Sequence, residues 1–173
     1  MFERGERVVL GVDPGTSAVG LAVVTSGPSG KPSVRWAETF RTGAGSAAAE
    51  RLRLISAAVR QAVADHQPGS VALERLIWNR NVGSAMEVAR ASGAIMAAVA
   101  EAGLTVEEYA PLEVKMAVTG VGNASKDQVR RGLSFLLGAA NVPKEPDAAD
   151  AVAVALCHLQ QSRFRALAKE ASR

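Results

Sequence analysis

Asp13, Glu74, Asp147 and Asp150 are the residues of this 173-residue sequence whose types and spacing point most directly to chemistry. Asp13 closes the apolar run Arg7 to Val12, just before Pro14-Gly15, and Glu74 closes the short run VALE. An acid at the end of an apolar strand loses hydration, and it stays ionised only where a cation or several donors compensate. Asp147 and Asp150 stand three apart in PDAADAVAVALCHL, a spacing that puts both on one face in the first turns of a helix. Four converging carboxylates suit Mg²⁺ or Mn²⁺, hard ions that prefer oxygen ligands. Two such ions about 3.5–4 Å apart in one site can run an in-line phosphodiester hydrolysis.

Each acid taken alone has an ordinary alternative. Asp13 before Pro-Gly can start a turn, Asp147 beside a helix start can serve as a cap or dipole partner, and Glu74 can be a surface acid on an edge strand. Asp150 is harder to explain away, because its neighbours are all Ala and Val. The metal reading therefore depends on all four reaching one end of one sheet.

The elements that must bring them there are readable from periodicity. Arg7 to Val12 reads as a strand buried on both faces, and Gly20 to Thr25 and Ser33 to Thr42 as two more strands, forming an antiparallel meander. From Ser46, Leu52, Ile55, Val59, Ala62 and Val63 recur at helical spacing until Gln67-Pro68-Gly69. Ser70 to Glu74 is a strand parallel to the first, since a crossover helix precedes it. A long helix is expected over 81–102, then a strand over Leu104 to Tyr109. Three helices follow, one started by Pro111, one capped by Ser125 and running to Leu137, and one beginning at Asp147. This order describes an α/β fold, a mixed five-stranded sheet with helices on both faces, in the RNase H-like arrangement. In such sheets functional groups gather beyond the carboxyl ends of the parallel strands, where Asp13 and Glu74 fall.

Composition sets outer bounds. The length and 48% hydrophobic content fit one domain over 1–173, with 166–173 as a frayed tail. Cys157, the one cysteine, excludes an internal disulfide and a thiolate zinc cage and fits a reducing cytoplasm. No run approaches the roughly 20 apolar residues of a membrane span, so a cytoplasmic protein with no membrane role is expected. A net charge of +3 permits a polyanionic partner without requiring one.

Four segments carry a family resemblance: LGVDPGTSAVG (10–20), VALERLIWNRN (71–81), YAPLEVKMAVTGVGNASKDQV (109–129) and PDAADAVAVALCH (146–158). With these in order at the family's spacing, the sequence resembles the RuvC Holliday-junction resolvases, which cut crossover DNA in recombination and repair. The resemblance implies that Asp13, Glu74, Asp147 and Asp150 are catalytic metal ligands for two Mg²⁺ ions, with Mn²⁺ as a substitute. It also implies that Lys115 and Lys126 lie near the DNA. Where the family places a wedge aromatic, this chain has Ile77 with Trp78 beside it, flanked by Arg75 and Arg80. Trp78 is expected to stack on an unpaired base or Ile77 to act as an apolar wedge, the alternative for Trp78 being packing against the sheet. A second departure is Arg90-Ala91-Ser92-Gly93, where the family commonly has Gln-Ala-Arg-Gly.

Implied partners are four-way junction DNA, a second copy of the chain and branch-migration motors of the RuvA and RuvB type. Two like nicks in a near two-fold junction need two metal centres. The small-residue stripe Met86, Ala89, Gly93, Met96 and Ala97 on helix 81–102 is the expected dimer face, unless it is core against the sheet. Three rival functions stand beside this one. DPGTSAVG also resembles the phosphate loop of the actin, sugar-kinase and heat-shock ATPase superfamily, but one domain leaves no second lobe to cover a nucleotide. The others are a junction-binding protein without catalysis and a ribonuclease on the same fold.

Overall fold

The structure, a computed structural model, describes residues 6–43, 45–75 and 82–171, with the side chains of 82, 84 and 163–171 left aside. Its strands are β1 (Arg7–Asp13), β2 (Ala18–Ser26), β3 (Pro32–Arg41), β4 (Ser70–Glu74) and β5 (Val106–Tyr109). Its α-helices are α1 (Ala48–His66), α2 (Val82–Glu101), α3 (Pro111–Thr119), α4 (Lys126–Leu137) and α5 (Pro146–Ala171). The strands form one sheet in the order β3-β2-β1-β4-β5. The first three pair antiparallel as a meander, and β4 and β5 continue the sheet parallel to β1. This is the mixed five-stranded sheet expected from the chain's periodicities, with element ends moved by a residue or two.

Alternation along β1 divides the core in two. Val8, Leu10 and Val12 point to the face covered by α1 and α2, where they meet Ile55, Val59, Ile95 and Val99. Val9 points to the other face, against the apolar residues of α5 and those of α3 and α4. Because both faces are covered, β1 must be apolar throughout, which is why it reads as a continuous run rather than an alternating one.

Helix α5 is buried on all sides over Ala151–Leu159, with the sheet beneath it and α3 above. Its small side chains let it lie against the strand backbone, and two glycines make that possible. A Cβ on Gly11 would overlap the Ala151 carbonyl oxygen and stand 2.9 Å from the Ala155 Cβ. A Cβ on Gly20 would overlap the Asp147 carbonyl oxygen. Gly20 pairs directly with Asp13 across β1 and β2, so the start of α5 is seated on the residue opposite Asp13. The seat is fastened by a hydrogen bond of 3.2 Å from the Ala148 N–H to Thr39 Oγ1 on β3, which satisfies one of the helix's open N-terminal donors.

Farther along α5, His158 is held from two strands. Its Nε2 lies 3.0 Å from Ser70 Oγ and its Nδ1 lies 2.9 Å from Tyr109 Oη. These contacts join α5 to the start of β4 and the end of β5, fixing the helix along its axis.

Replacing Gly11 or Gly20 by alanine forces α5 off the sheet. Each change is expected to lower unfolding stability by about 1–3 kcal/mol in urea titrations, the range for overpacked sites. Gly27→Ala is the control, since a Cβ there meets nothing within 4 Å. Equal stability of all three variants would contradict the close seating of α5.

Candidate active site and metal centre

Asp13 is the last residue of β1 and Glu74 the last of β4, each following a residue of the register pair Val12 and Leu73. The two acids therefore leave neighbouring parallel strands side by side. Asp147 and Asp150 lie in the first turns of α5, where the Asp147 carbonyl rests directly over Gly20. All four line one cavity of about 380 Å³, together with Pro111, Val114, Lys115, Lys126, Val129 and Ala153. The acids thus converge from three separate stretches of the chain.

The ordinary alternatives for single acids fall away on the same geometry. β4 runs between β1 and β5, so Glu74 is not on an edge strand. Among the described residues, neither Asp13 nor Asp147 accepts a turn or capping hydrogen bond, and Thr39 takes the capping role at α5 instead.

The two lysines are positioned by helix starts. Pro111 opens α3, and the Glu113 carboxylate accepts a 2.7 Å hydrogen bond from the Ala110 N–H, which fixes the first turn and aims Lys115 at the cavity. Ser125 and Gln128 form a reciprocal capping box, with Gln128 Oε1 accepting from Ser125 N–H at 2.8 Å and Ser125 Oγ from Gln128 N–H at 3.3 Å. Lys126 follows the cap immediately and lies at the cavity wall.

Electrostatically the cluster is under-compensated. Burial, and then the neighbouring charges of Glu74, Asp150 and Asp147, push the Asp13 carboxyl up to about 8, against a small opposing pull from Lys126. Burial and the charge of Asp150 push Glu74 up to about 6, while Lys115 and Lys126 pull it down. Asp150 is also raised, chiefly by burial. Among the described residues none of the four carboxylates accepts a hydrogen bond, so two lysines face four acids across one cavity. An oxygen-only donor set with excess negative charge fits a hard divalent cation. No three of these side chains are gathered about one ion-sized point among the described residues, so the acids rim the cavity.

Other expected residues are placed less centrally. Arg75 is exposed just after β4, where its backbone N–H donates to the Tyr109 carbonyl at 2.8 Å, and it is not among the residues lining the cavity. Ile77, Trp78 and Arg80 lie outside the described residues. On α2, Met86, Ala89, Gly93, Met96 and Ala97 are all exposed, while Ala85, Ala91, Ile95 and Val99 face the core. The stripe is therefore not core against the sheet. Gly11, Gly20 and Thr39 were not singled out from the sequence as site-building residues. The signal for the glycines was present, since an isolated Gly within a strand marks a close backbone approach.

A mixed sheet in this strand order, helices on both faces and acids at the ends of its central parallel strands together define an RNase H-like nuclease. The profile of crossover junction endodeoxyribonuclease RuvC matches residues 9–158, and the chain belongs to that family. It is 42% identical over 163 residues to the crossover junction endodeoxyribonuclease RuvC of Moorella thermoacetica, covering 94% of this chain and 97% of the relative. The Desulfitobacterium hafniense enzyme of the same name is 39% identical over 151 residues, covering 87% and 91%. Thermus thermophilus RuvC, solved in complex with a Holliday junction substrate, superposes with a TM-score of 0.84 at 35% identity, covering 91% of this chain and 96% of that one. The family's enzymes are metal-dependent hydrolases, in keeping with the acidic cavity. Among the described residues no helix is long and apolar enough to cross a membrane.

The raised carboxyls set a pH signature for the ion-free protein. In the folded state Asp13 keeps its proton up to about 8, whereas unfolded it releases it near the ordinary value of 3.8. The native state then binds more protons than the unfolded state across that window, so stability is full below it and falls as pH rises through about 8. The melting temperature in chelator is expected to drop by at least about 2–4 °C between mildly acidic and mildly alkaline buffer, the scale of a loss of about 1 kcal/mol in a domain of this size. Asp13→Asn should flatten that slope, and Mg²⁺ should restore the wild-type melting temperature at the alkaline end. Superimposable wild-type and Asp13→Asn curves across the range would contradict a strongly desolvated Asp13.

Proposed function

We propose that this chain resolves four-way DNA junctions by paired symmetric nicks, with Asp13, Glu74, Asp147 and Asp150 as the ligands of two Mg²⁺ ions. The observation that carries the reading is the convergence of four acids from three chain segments on one cavity walled by Lys115 and Lys126. Likeness at 35% identity to a RuvC solved on a Holliday junction supports junction DNA as the substrate.

When bound, the ions supply Lewis-acid stabilisation of the scissile phosphate and lower the pKa of an attacking water. The chain's own residues prepare the site. The acids fix where the cations sit, and apolar Val114, Val129 and Ala153 restrict water around them. Lys115 and Lys126 hold phosphate oxygens and offset the charge that builds up during displacement. Mn²⁺ is expected to substitute for Mg²⁺, since the donor set is all oxygen.

The exposed stripe Met86, Ala89, Gly93, Met96 and Ala97 supports a two-fold dimer that sets two such cavities on one junction. A Cβ at Gly93 meets nothing within 4 Å, leaving room there for close helix packing. Within that dimer Ile77 or Trp78 parts the bases at the crossover, with Arg75 and Arg80 on the flanking phosphates. The whole chain acts as one nuclease domain in the cytoplasm, on junctions moved by RuvA- and RuvB-type motors.

Asp13→Asn is expected to retain junction binding in gel-shift assays while cleavage with Mg²⁺ falls by at least about 1000-fold, the scale of losing preorganised charge stabilisation. Mapped on a synthetic junction, wild-type nicks should fall symmetrically in two strands of like polarity. Cutting by Asp13→Asn at the wild-type rate would rule out the metal cluster, and preferential cutting of an RNA–DNA hybrid offered in parallel would move the activity to a ribonuclease.

A further inference from the structure

We propose that Arg130 grips a DNA backbone phosphate neighbouring the scissile one, on the path by which the strand leaves the acidic cavity. The inference rests on the junction-nuclease reading and adds a subsite to it. A second depression of about 160 Å³ is lined by Arg130 with Asp127, Leu133, Pro146 and Ala149, and by Lys126, Val129 and Asp150. The last three also line the acidic cavity, so the two depressions lie side by side and share a wall.

Arg130 stands one turn after Lys126 on α4, about 6 Å farther along the axis. Helical side chains lean toward the N-terminus, so its guanidinium inclines back toward Lys126 and the cavity mouth. Val129, Leu133 and Leu137 bury the opposite edge of the same face, which holds the helix and leaves Arg130 at the margin of the second depression. Among the described residues Arg130 forms no ion pair, although Asp127 and Asp150 line the same depression. It is exposed, and its planar fork matches a phosphodiester through two parallel hydrogen bonds. A site that is acidic at its centre needs cations along its exit to hold a polyanion in register, and Lys126 followed by Arg130 provides that line. Arg131, the next residue, is turned away by about 100° of helix rotation and lines neither depression.

The test uses the full chain carrying Asp13→Asn, so that binding to a synthetic four-way junction is read without cutting. Adding Arg130→Gln should weaken affinity about tenfold, the scale of a charged hydrogen bond. The slope of log affinity against log salt should become shallower by about one phosphate contact. Arg130→Lys should keep most of the slope, and Arg131→Gln should leave affinity and slope unchanged. Junctions carrying one neutral methylphosphonate beside the cut localise the contact: at one linkage, neutralisation should weaken the Arg130 chain and not the Arg130→Gln chain. Wild-type affinity and slope in Arg130→Gln, an equal loss in Arg131→Gln, or the absence of any such linkage would overturn the subsite while leaving junction cleavage by the wild type intact. Failure of the wild type to bind or cut junctions would overturn both readings.

Discussion

The seating of α5 on the bare backbone of β1 and β2 is the constraint on which the site depends. Strand ends can deliver two acids to one place, because parallel neighbours in register finish together, as Val12 and Leu73 do before Asp13 and Glu74. They cannot deliver four. The other two acids arrive only if a helix N-terminus lies almost in van der Waals contact with the sheet, and Gly11 and Gly20 remove the Cβ atoms that would prevent it. The Ala-rich buried face of α5 is the complementary half of the same device.

That geometry has an electrostatic cost borne at one point. Helix packing against a sheet excludes water, and excluded water is what would otherwise solvate the carboxylates. Asp13 sits deepest and carries the largest perturbation, with Glu74 less affected beside it. Lys115 and Lys126 relieve part of the repulsion from helices that only abut the cavity. The remaining imbalance supports the proposed divalent-ion site rather than a set of structural ion pairs. Two surface ion pairs, Arg53 with Glu50 and Arg60 with Glu101, are by contrast exposed and matched charge for charge.

Much of this was legible in the sequence, for identifiable reasons. β1 announced itself as a strand buried on both faces because covered sheets leave no polar positions. α4 was marked by Ser125 and Gln128 at capping-box spacing, and both hydrogen bonds form. The four acids stood at element boundaries, where chemistry-bearing residues collect. What stayed hidden was whatever depends on contact between distant segments. Thr39 caps α5 from 109 residues away, a relation no local pattern encodes. Whether the α2 stripe faced the sheet or the outside turned on which of two apolar stripes packs inward, and Ile95 with Val99 took that place over Met96 and Ala97. Glu74 on an inner strand rather than an edge one followed from β5 pairing beyond it, again a long-range fact.

On the proposed assignment, the distance between α5 and the sheet becomes a gauge of ionic radius. Two carboxylates are anchored to strand ends and two to a helix that the strand backbone itself stops from sinking farther. The gap between the pairs is then set by backbone thickness, and side-chain rotation closes what remains. Mg²⁺ demands oxygens at about 2.0–2.1 Å in near-octahedral order, whereas Ca²⁺ accepts about 2.3–2.6 Å and looser shells. A fixed helix-to-sheet gap is the kind of constraint to which the stricter ion is the more sensitive, so the glycine opposite Asp13 bears on the proposed metal site without touching it.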